Sequence, residues 1–404
     1  MLGAFQWTES KGASPISPQH RIGALARAID ARPHDAWLYV EMGDVYAASA
    51  SFAEAVRSYE QALEYDPRGF EAWAALIHCH LKLGRIAVAL DLCDRNPRPD
   101  DAVWLRQRGL ALLRLRRVAE GRAELARAIE LGDAQLGALR VLLTSLARSA
   151  DGGALLATCD RLDDRYRDTA GARGFRALAL SLLGRVEEAR QIVDLDRCVM
   201  RVPIEPPAEF GGITAFNHAL AAEILSDPPV ITQAGTNIHY GAHTRSKPVL
   251  TALRRMIREA AIDYAERRGE FTTPAALPDP PRRATLGCST LVLRGSGRNG
   301  EHLHPAGYLS TVYHVAVPPG LLKRTDQRGA LALGVCGSIA KGHSPCWGMR
   351  TIRAEPGWLT IFPSHIFHDV VPTLSSQPRI SVVSDVIPFR PWASRVAQIG
   401  PEDD

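Results

Sequence analysis

Histidines in two separate segments are the residues whose spacing most directly suggests chemistry. His302 and His304 stand two positions apart, and His365 and His368 follow much later in the chain. In an extended segment, residues i and i+2 point to the same side, so His302 and His304 can converge on one ion. A fold that brings His368 to the same place would complete the site. The pattern therefore predicts a metal centre.

Arg379 extends this pattern, because it follows His368 and opens an apolar run typical of a strand. Non-haem iron(II) sites use a facial set of protein ligands and leave the other positions open. An oxo-acid can chelate the ion through those open positions, and a buried arginine can pair bidentately with its far carboxylate. The sequence is thus compatible with an iron(II) and oxo-acid site.

Ordered motifs around these residues resemble a family of 2-oxoglutarate- and iron(II)-dependent oxygenases. The family motif runs H-x-H-P, then L-S-G-V-Y-Y, and later F-P-S, H, V, P and R-I-S. The corresponding pieces of this chain are HLHP from His302, LSTVYH from Leu309, FPS from Phe362, His368, Val370, Pro372 and RIS from Arg379. The similarity extends roughly from Phe216 to Arg390.

The resemblance implies hydroxylation of a C–H bond, with iron(II) as cofactor, 2-oxoglutarate and dioxygen as cosubstrates, and ascorbate as an optional reductant. It implies that His368 is the distal iron ligand and that the pair His302 and His304 holds the other side of the ion. It also implies that Arg379 binds 2-oxoglutarate. His365 is interpreted as a neighbour of the site rather than as a ligand.

Three further residues near these motifs are candidates for binding the cosubstrate, namely Tyr308, Tyr313 and Ser381. The tyrosine hydroxyls can donate hydrogen bonds to an oxo-acid. Aromatic residues in a barrel more often serve packing, so this alternative stays open for both tyrosines.

The chain departs from the family pattern at three places. Thr311 replaces a glycine, His314 replaces a tyrosine, and H-x-H stands where many related oxygenases have H-x-D. Without that carboxylate, two arrangements are possible. Either His304 is itself a ligand in a three-histidine site, or one histidine of the pair contacts a ligand and not the ion. Two other functional classes remain open: a non-catalytic repeat adaptor with a degenerate cupin-like domain, and a hydrolase or isomerase that uses another metal.

The amino-acid composition around the histidines is typical of β-strands. From Ala284 onward, short runs rich in Val, Ile, Leu and Thr are separated by Gly and Pro turns. Strands without helices between them predict an antiparallel sandwich or barrel, and the double-stranded β-helix, or jelly roll, fits their number. Two helices are predicted before it, one in AFNHALAAEIL and one from about Pro248 to Arg268.

The N-terminal half contains an internal repeat. Small and aromatic residues recur at the spacings of the tetratricopeptide pattern, whose period is about 34 residues. They are Tyr39, Gly43, Tyr46, Ala55, Tyr59, Ala62 and Pro67. Gly43 and Ala55 are small where the two helices of a repeat touch, and Pro67 ends the second helix. Degenerate units follow, so about five to six helical hairpins are expected before residue 196.

We therefore predict a multidomain α plus β protein with helical repeats over 1–195, a linker over 196–212, an oxygenase-like domain over 213–392 and a tail over 393–404. The linker is indicated by the proline- and glycine-rich RCVMRVPIEPPAEFGG. A repeat solenoid usually binds a peptide or protein on its concave face. A peptide or protein partner is therefore favoured over a purely structural scaffold.

Composition narrows the remaining classes. The net charge is only +4, so nucleic-acid binding is not indicated. No apolar run approaches the roughly 20 residues that a membrane helix needs, and the N-terminus lacks a secretory pattern, so a cytoplasmic location is expected. The seven cysteines include no C-x-x-C pair, which predicts ordinary thiols rather than disulfides or a zinc site.

Overall fold

A computed structural model of the chain describes residues 6–7, 18–95, 100–133, 136–226, 231–233, 236–239, 247–323 and 325–391. The predicted tail, 393–404, lies outside these residues. The chain divides into two compact units, each described by itself. The helical unit comprises Ala13–Asp133 and Gly137–Ser145, and the mixed unit comprises Leu146–Asp404 with Met1–Gly12 and Ala134–Leu136.

The helical unit is built from consecutive helices with short connections. They are α1 (Pro18–Ala31), α2 (Ala36–Ala48), α3 (Phe52–Tyr65), α4 (Phe70–Lys82), α5 (Ile86–Asp94), α6 (Ala102–Arg114), α7 (Val118–Glu130) and α8 (Gly137–Arg148), whose last turn belongs to the mixed unit. Asp35 and Asp101 precede α2 and α6 and accept hydrogen bonds from amides of the first turn. These caps satisfy donors that would otherwise lack a partner, which explains where both helices begin.

The close contact predicted within the first repeat is present in the structure. A Cβ atom on Gly43 would lie 2.5 Å from Cε1 of Tyr59, so only glycine lets α2 approach α3. The Tyr59 hydroxyl donates a 2.7 Å hydrogen bond to Asp44. Gly109 of α6 has the same role, since its Cβ would lie 2.7 Å from Cγ of Leu125 in α7. The repeat spacing thus recurs as a small residue of one helix against a large residue of the next.

The mixed unit contains helices and the described strands. Its helices are α9 (Gly152–Asp160), α10 (Asp164–Arg167), α11 (Ala170–Leu182), α12 (Val186–Ile192), α13 (Ile213–Leu225), α14 (Pro248–Phe271) and α15 (Pro319–Leu322). The strands are β1 (Gln6–Trp7), β2 (Met200–Pro203), β3 (Ile231–Gln233), β4 (Thr236–His239), β5 (Arg283–Leu293), β6 (Leu309–Ala316), β7 (Leu331–Leu333), β8 (Arg350–Ile352), β9 (Trp358–Pro363), β10 (His368–Val370) and β11 (Arg379–Pro388). Every described helix is too short or too polar to cross a membrane.

The strands form two sheets that pack face to face. The large sheet has the order β2-β9-β6-β11-β5-β4-β3, with β1 added beside β5, and the small sheet has the order β10-β7-β8. Val312 and Phe362 of the large sheet share a core with Leu331, Leu333 and Ile352 of the small sheet. From β6 to β11 the chain passes repeatedly between the two sheets, which gives a curled β structure. The predicted double-stranded β-helix remains our interpretation of this winding.

The two faces of the large sheet have different partners. Along β6 and β11, Tyr313 and Val382 belong to a core that includes Phe216 of α13 and Leu253 of α14. Since successive strand residues point to opposite faces, His314 lies on the face turned toward the small sheet. The helices predicted before the strands therefore cover one face and leave the other to form an enclosed interior.

Two features differ from the predicted organisation. Part of the segment predicted as a linker, Met200–Pro203, is strand β2, which pairs with β9 at the edge of the large sheet. Its proline lies at that edge, where a missing amide hydrogen is tolerated. Helices α9 to α12, predicted as repeats, belong to the mixed unit. The boundaries at residues 195 and 212 therefore stay predictions about the repeat pattern.

Candidate metal centre

Three histidines lie together at one end of the enclosed interior. His302 and His368 form an isolated antiparallel bridge, with amide-to-carbonyl hydrogen bonds of 3.0 and 2.8 Å in the two directions. Residues directly opposite each other in such a bridge have their side chains on the same face. His304 is two positions from His302 and shares that face. One ring nitrogen from each of the three lies within 4.8 Å of the others.

Each ring bonds to an oxygen acceptor through Nδ1. The acceptors are the Gly300 carbonyl for His302 at 2.8 Å, Asp385 Oδ2 for His304 at 2.6 Å and the Ile366 carbonyl for His368 at 3.0 Å. Carbonyl and carboxylate oxygens only accept hydrogen bonds, so each Nδ1 carries the proton and each Nε2 keeps its lone pair. This is how proteins orient histidines for metal ligation.

The lone pairs converge closely enough to fit a metal ion. The Nε2 atoms of His304 and His368 are 3.2 Å apart. Two nitrogen ligands at right angles, each roughly 2.1 Å from an ion, would be about 3 Å apart. Two unprotonated nitrogens at this distance repel each other unless a proton or a cation lies between them. The donor set therefore fits a divalent ion, and His304 is placed as well as the other two histidines to be a ligand.

Asp385 belongs to the candidate site but was not predicted from the sequence. It lies in β11 directly opposite Ser310 of β6, and its Oδ1 accepts a 2.6 Å hydrogen bond from the Ser310 hydroxyl. Its Oδ2 binds His304, as described above. Asp385 and Arg379 occupy alternate positions of one strand and therefore face the same interior. That alternation was a signal that could have identified Asp385 from the sequence.

The electrostatics differ between two of the rings. Burial by itself would lower the pKa of His304, but the charge and hydrogen bond of Asp385 outweigh it and raise this pKa. Burial holds the pKa of His368 well below its usual range, and the nearby His302 and His304 lower it further. His368 is therefore neutral, which is the form that binds metal.

Arg379 lies in the same interior and is fully buried. Its Nη2 is 3.4 Å from Nδ1 of His314, and Ser381 Oγ is also 3.4 Å from that nitrogen. Within the described part of the chain, Nε and Nη1 of Arg379 have no hydrogen-bond partner. Burial lowers its pKa to about 10, so it remains charged at neutral pH. A buried unpaired cation is costly, and an anionic ligand would compensate it.

The two tyrosines predicted to bind the cosubstrate lie elsewhere. The hydroxyl of Tyr313 donates a 2.6 Å hydrogen bond to Asn217, and that of Tyr308 donates a 3.1 Å bond to the Pro278 carbonyl. Both rings belong to the core on the helix-covered face of the large sheet. Strand alternation separates Tyr313 from its neighbour His314. The structure thus places Ser381 and Arg379 beside the same nitrogen of His314. The two tyrosines lie on the other face of the sheet, where they pack in the core.

His365 also lies outside the histidine cluster. It is buried, and its Nε2 donates a 2.9 Å hydrogen bond to the carbonyl of Ile192. That bond places the proton on Nε2 and directs the ring away from the other histidines. The interpretation of His365 as a neighbour agrees with this placement.

Helix α11 packs directly behind the segments that carry the histidines. A Cβ on Gly174 would lie 2.5 Å from Cδ2 of Leu303 and 2.6 Å from the carbonyl oxygen of His365. The rings of Phe175 and Phe367 meet edge to face, with centroids 5.4 Å apart. Leu303 separates two of the clustered histidines, and Phe367 precedes the third. A helix predicted as part of a repeat therefore supports both ligand-bearing segments.

Two family models match separate parts of the chain. Residues 288–385 match the family model described as "Putative 2OG-Fe(II) oxygenase", and residues 40–102 match a tetratricopeptide-repeat model. One part of the chain is thus similar to tetratricopeptide repeats and another to the family of that putative oxygenase model. The oxygenase match includes all three clustered histidines, Arg379 and Asp385. No curated protein matches the chain.

Solved structures resemble parts of the chain at low identity. YrrB, a TPR protein with an unusual peptide-binding site, has 18% identity and a TM-score of 0.34, covering 42% of this chain and 92% of its own. A Pseudomonas putida prolyl-4-hydroxylase has 16% identity and a TM-score of 0.32, covering 48% and 94%. The first TPR domain of human RPAP3 has 21% identity and a TM-score of 0.27, covering 32% and 98%.

Proposed function

We propose that the oxygenase domain is a 2-oxoglutarate- and iron(II)-dependent dioxygenase that hydroxylates a protein, peptide or amino-acid-like substrate. The observation that carries the proposal is the convergence of one ring nitrogen from each of three histidines, in an interior that also holds a fully buried arginine with no acidic partner among the described residues. The chemistry that iron(II) supplies in such a site is oxidation of a C–H bond by dioxygen, with 2-oxoglutarate converted to succinate and carbon dioxide.

The chain's own residues would bind and orient the reactants. His302, His304 and His368 would hold the metal from one side, which leaves its remaining positions open. Arg379 would bind the carboxylate of 2-oxoglutarate that does not chelate the metal, through the two nitrogens that lack partners. Ascorbate as an additional reductant stays a prediction.

Apolar residues of both sheets would keep water from the reacting groups. Leu291 and Leu293 of the large sheet pack with Val370 of the small sheet, and Val370 follows His368 by two residues. Phe362 meets the ring of His368 at a centroid distance of 5.0 Å. A dry interior strengthens the attraction between Arg379 and a carboxylate, because the local dielectric is low.

The repeat region would recruit the substrate or a partner protein. Tetratricopeptide repeats generally bind peptides or proteins, and the family match covers two helical hairpins of this chain. A peptide or protein substrate is therefore the proposed class. The cytoplasmic location also stays a prediction.

The test is an anaerobic titration of the purified protein with iron(II) and then with 2-oxoglutarate. We expect the weak visible charge-transfer band of the chelate, its loss in His368→Ala, and a higher 2-oxoglutarate concentration at half-saturation in Arg379→Met. Iron uptake without a band would overturn oxo-acid chelation. Absence of iron uptake by folded protein would instead favour a non-catalytic repeat adaptor.

A further inference from the structure

His314 is a buried polar residue for which the proposed function has so far supplied no role. Its side chain is fully buried in the interior beside Arg379. Its Nε2 has no hydrogen-bond partner among the described residues. Buried polar groups nearly always have a partner, so an unpartnered ring nitrogen beside an unpaired guanidinium indicates a ligand that contacts both.

The tautomer of His314 follows from its neighbours. Nδ1 faces Nη2 of Arg379 and the Ser381 hydroxyl, each at 3.4 Å. Guanidinium nitrogens can only donate, so Nδ1 has to be the acceptor. Burial, together with the charges of Arg379 and Arg201, holds the pKa of His314 well below its usual range, which keeps the ring neutral. The ring proton is therefore on Nε2, and His314 presents an unused N–H donor.

Several unused donors share this part of the interior. They are Nε2 of His314, Nε and Nη1 of Arg379, and the hydroxyl of Thr360. Thr360 lies in β9 opposite Val312, on the same sheet face as His314. No acidic side chain of the described residues bonds to Arg379 or His314. A cluster of donors without a protein acceptor is complementary to a carboxylate, which only accepts hydrogen bonds.

We propose that His314 is a cosubstrate-binding residue that, together with Arg379, binds the distal carboxylate of 2-oxoglutarate and makes the pocket selective for dicarboxylates. This inference rests on the proposed function. The family motif has a tyrosine at this position, whereas the imidazole here has one nitrogen to orient Arg379 and the other to donate to the ligand. A single side chain would thus both position the arginine and bind the carboxylate.

The test compares variants that keep or remove the Nε2 donor. A glutamine amide nitrogen can lie near the position of Nε2, whereas an asparagine amide reaches only the position of Nδ1. In iron-loaded anaerobic protein, we expect His314→Asn and His314→Phe to weaken 2-oxoglutarate binding about 10- to 100-fold, which is the effect of losing one hydrogen bond to a charged group. His314→Gln should stay within about threefold of wild type, and iron(II) affinity should be unchanged in all three.

A second measurement separates this inference from the proposed function. Glutarate has both carboxylates but no oxo group, so it should compete with 2-oxoglutarate in wild type and protect the metal-free protein against thermal unfolding. Butyrate should do neither at the same concentration. If no chelate band forms in wild type, the proposed function fails, while glutarate protection that requires His314 would still support the pocket.

Two results would overturn the role of His314. One is unchanged 2-oxoglutarate affinity in folded His314→Phe. The other is equal weakening in the Gln and Asn variants, which would indicate a need for the ring shape rather than the donor. Equal protection by phosphate and glutarate would overturn the dicarboxylate selectivity. His343→Gln is the matched control, since His343 bonds to Ser181 at 2.8 Å and should leave every affinity unchanged.

Discussion

The hydrogen bond between Asp385 and His304 compensates for a carboxylate that the ligand set lacks. Three neutral histidines leave both charges of a divalent ion uncompensated, whereas a ligand carboxylate would neutralise one of them. Asp385 is not itself a candidate ligand, but it places a negative charge beside the candidate ligand His304 through a 2.6 Å bond to Nδ1 of that ring. Such a partner makes the imidazole a stronger ligand.

Asp385→Asn should therefore lower metal affinity about 10- to 100-fold, because the amide keeps the shape but not the charge. Competition with a chromophoric chelator measures this directly. Asp369→Asn is the matched control, since Asp369 is also buried and follows His368 but bonds to Arg298 and to the Val370 amide. Equal losses in both variants would mean that any nearby negative charge suffices.

Arg379 illustrates a conflict between binding and stability. Its charge is buried with no counter-ion among the residues that the structure describes, so the ligand-free protein bears a desolvation cost. Arg379→Met should raise the free energy of unfolding of the ligand-free protein by about 1 kcal/mol or more, and should abolish stabilisation by 2-oxoglutarate. Denaturant unfolding with and without 2-oxoglutarate checks both effects. A less stable variant would indicate that Arg379 has a structural partner.

At the scale of elements, helix α11 was predicted as part of a repeat but packs against the segments that carry the clustered histidines. Gly174→Ala would place a methyl group against Leu303 and the backbone of His365, so the helix or the ligand segments must move. Ligand positions have to hold to within about 0.5 Å, so we expect metal affinity to fall about tenfold in the folded variant. The same chelator competition, with circular dichroism to confirm folding, measures the loss.

Gly109→Ala is the control for a packing defect alone. Its methyl group would meet Leu125 at 2.7 Å, within the helical unit. This variant should lose stability and keep its metal affinity. If Gly174→Ala binds metal as well as wild type does, α11 would be a covering helix with no influence on the site.

The element pattern was predictable where local signals are strong. Apolar runs separated by Gly and Pro gave β5, β6, β7, β9 and β11, and the tetratricopeptide spacing gave the helices of the first repeats. The partner of α11 was not predictable, because Gly171, Gly174 and Ala177 are small residues that suit packing against a helix or a sheet equally. Strand β2 was missed because proline and glycine around a four-residue edge strand hide its pattern.

The candidate site was predictable for a different reason. The histidine and arginine motifs are local. Alternation along β11 places Asp385 on the same face as Arg379, but the partners of Asp385 and His314 depend on the register that pairs β6 with β11. Tyr313 was predicted to bind the cosubstrate, but it does not face the interior. Successive residues of β6 point to opposite faces, so His314 faces the interior and Tyr313 faces the helices.

For the whole molecule, buried neutral histidines predict sensitivity to acid. Burial lowers the pKa of His365 from 6.5 to about 4. Below pH 6.5 the unfolded chain therefore takes up a proton that the folded chain rejects, and stability falls as pH decreases toward 4. From pH 7 to pH 5 this one residue should cost about 2 kcal/mol.

Urea unfolding of the metal-free protein at both pH values tests this prediction. The variant His365→Gln keeps a donor for the Ile192 carbonyl but cannot be protonated in this range, so its pH dependence should be smaller by that amount. Identical pH dependence in the two proteins would contradict the assignment.

The bridge between His302 and His368 also affects when the site can form. Two of the clustered histidines, His304 and His368, are 64 residues apart in sequence, and the carboxylate behind His304 comes later still. During synthesis, a ribosome must therefore translate through residue 368 before all three candidate ligands exist, and through residue 385 before the carboxylate that supports His304 exists. Metal uptake would be a late event that reports completed folding, and the bound ion would then act as a cross-link that slows unfolding.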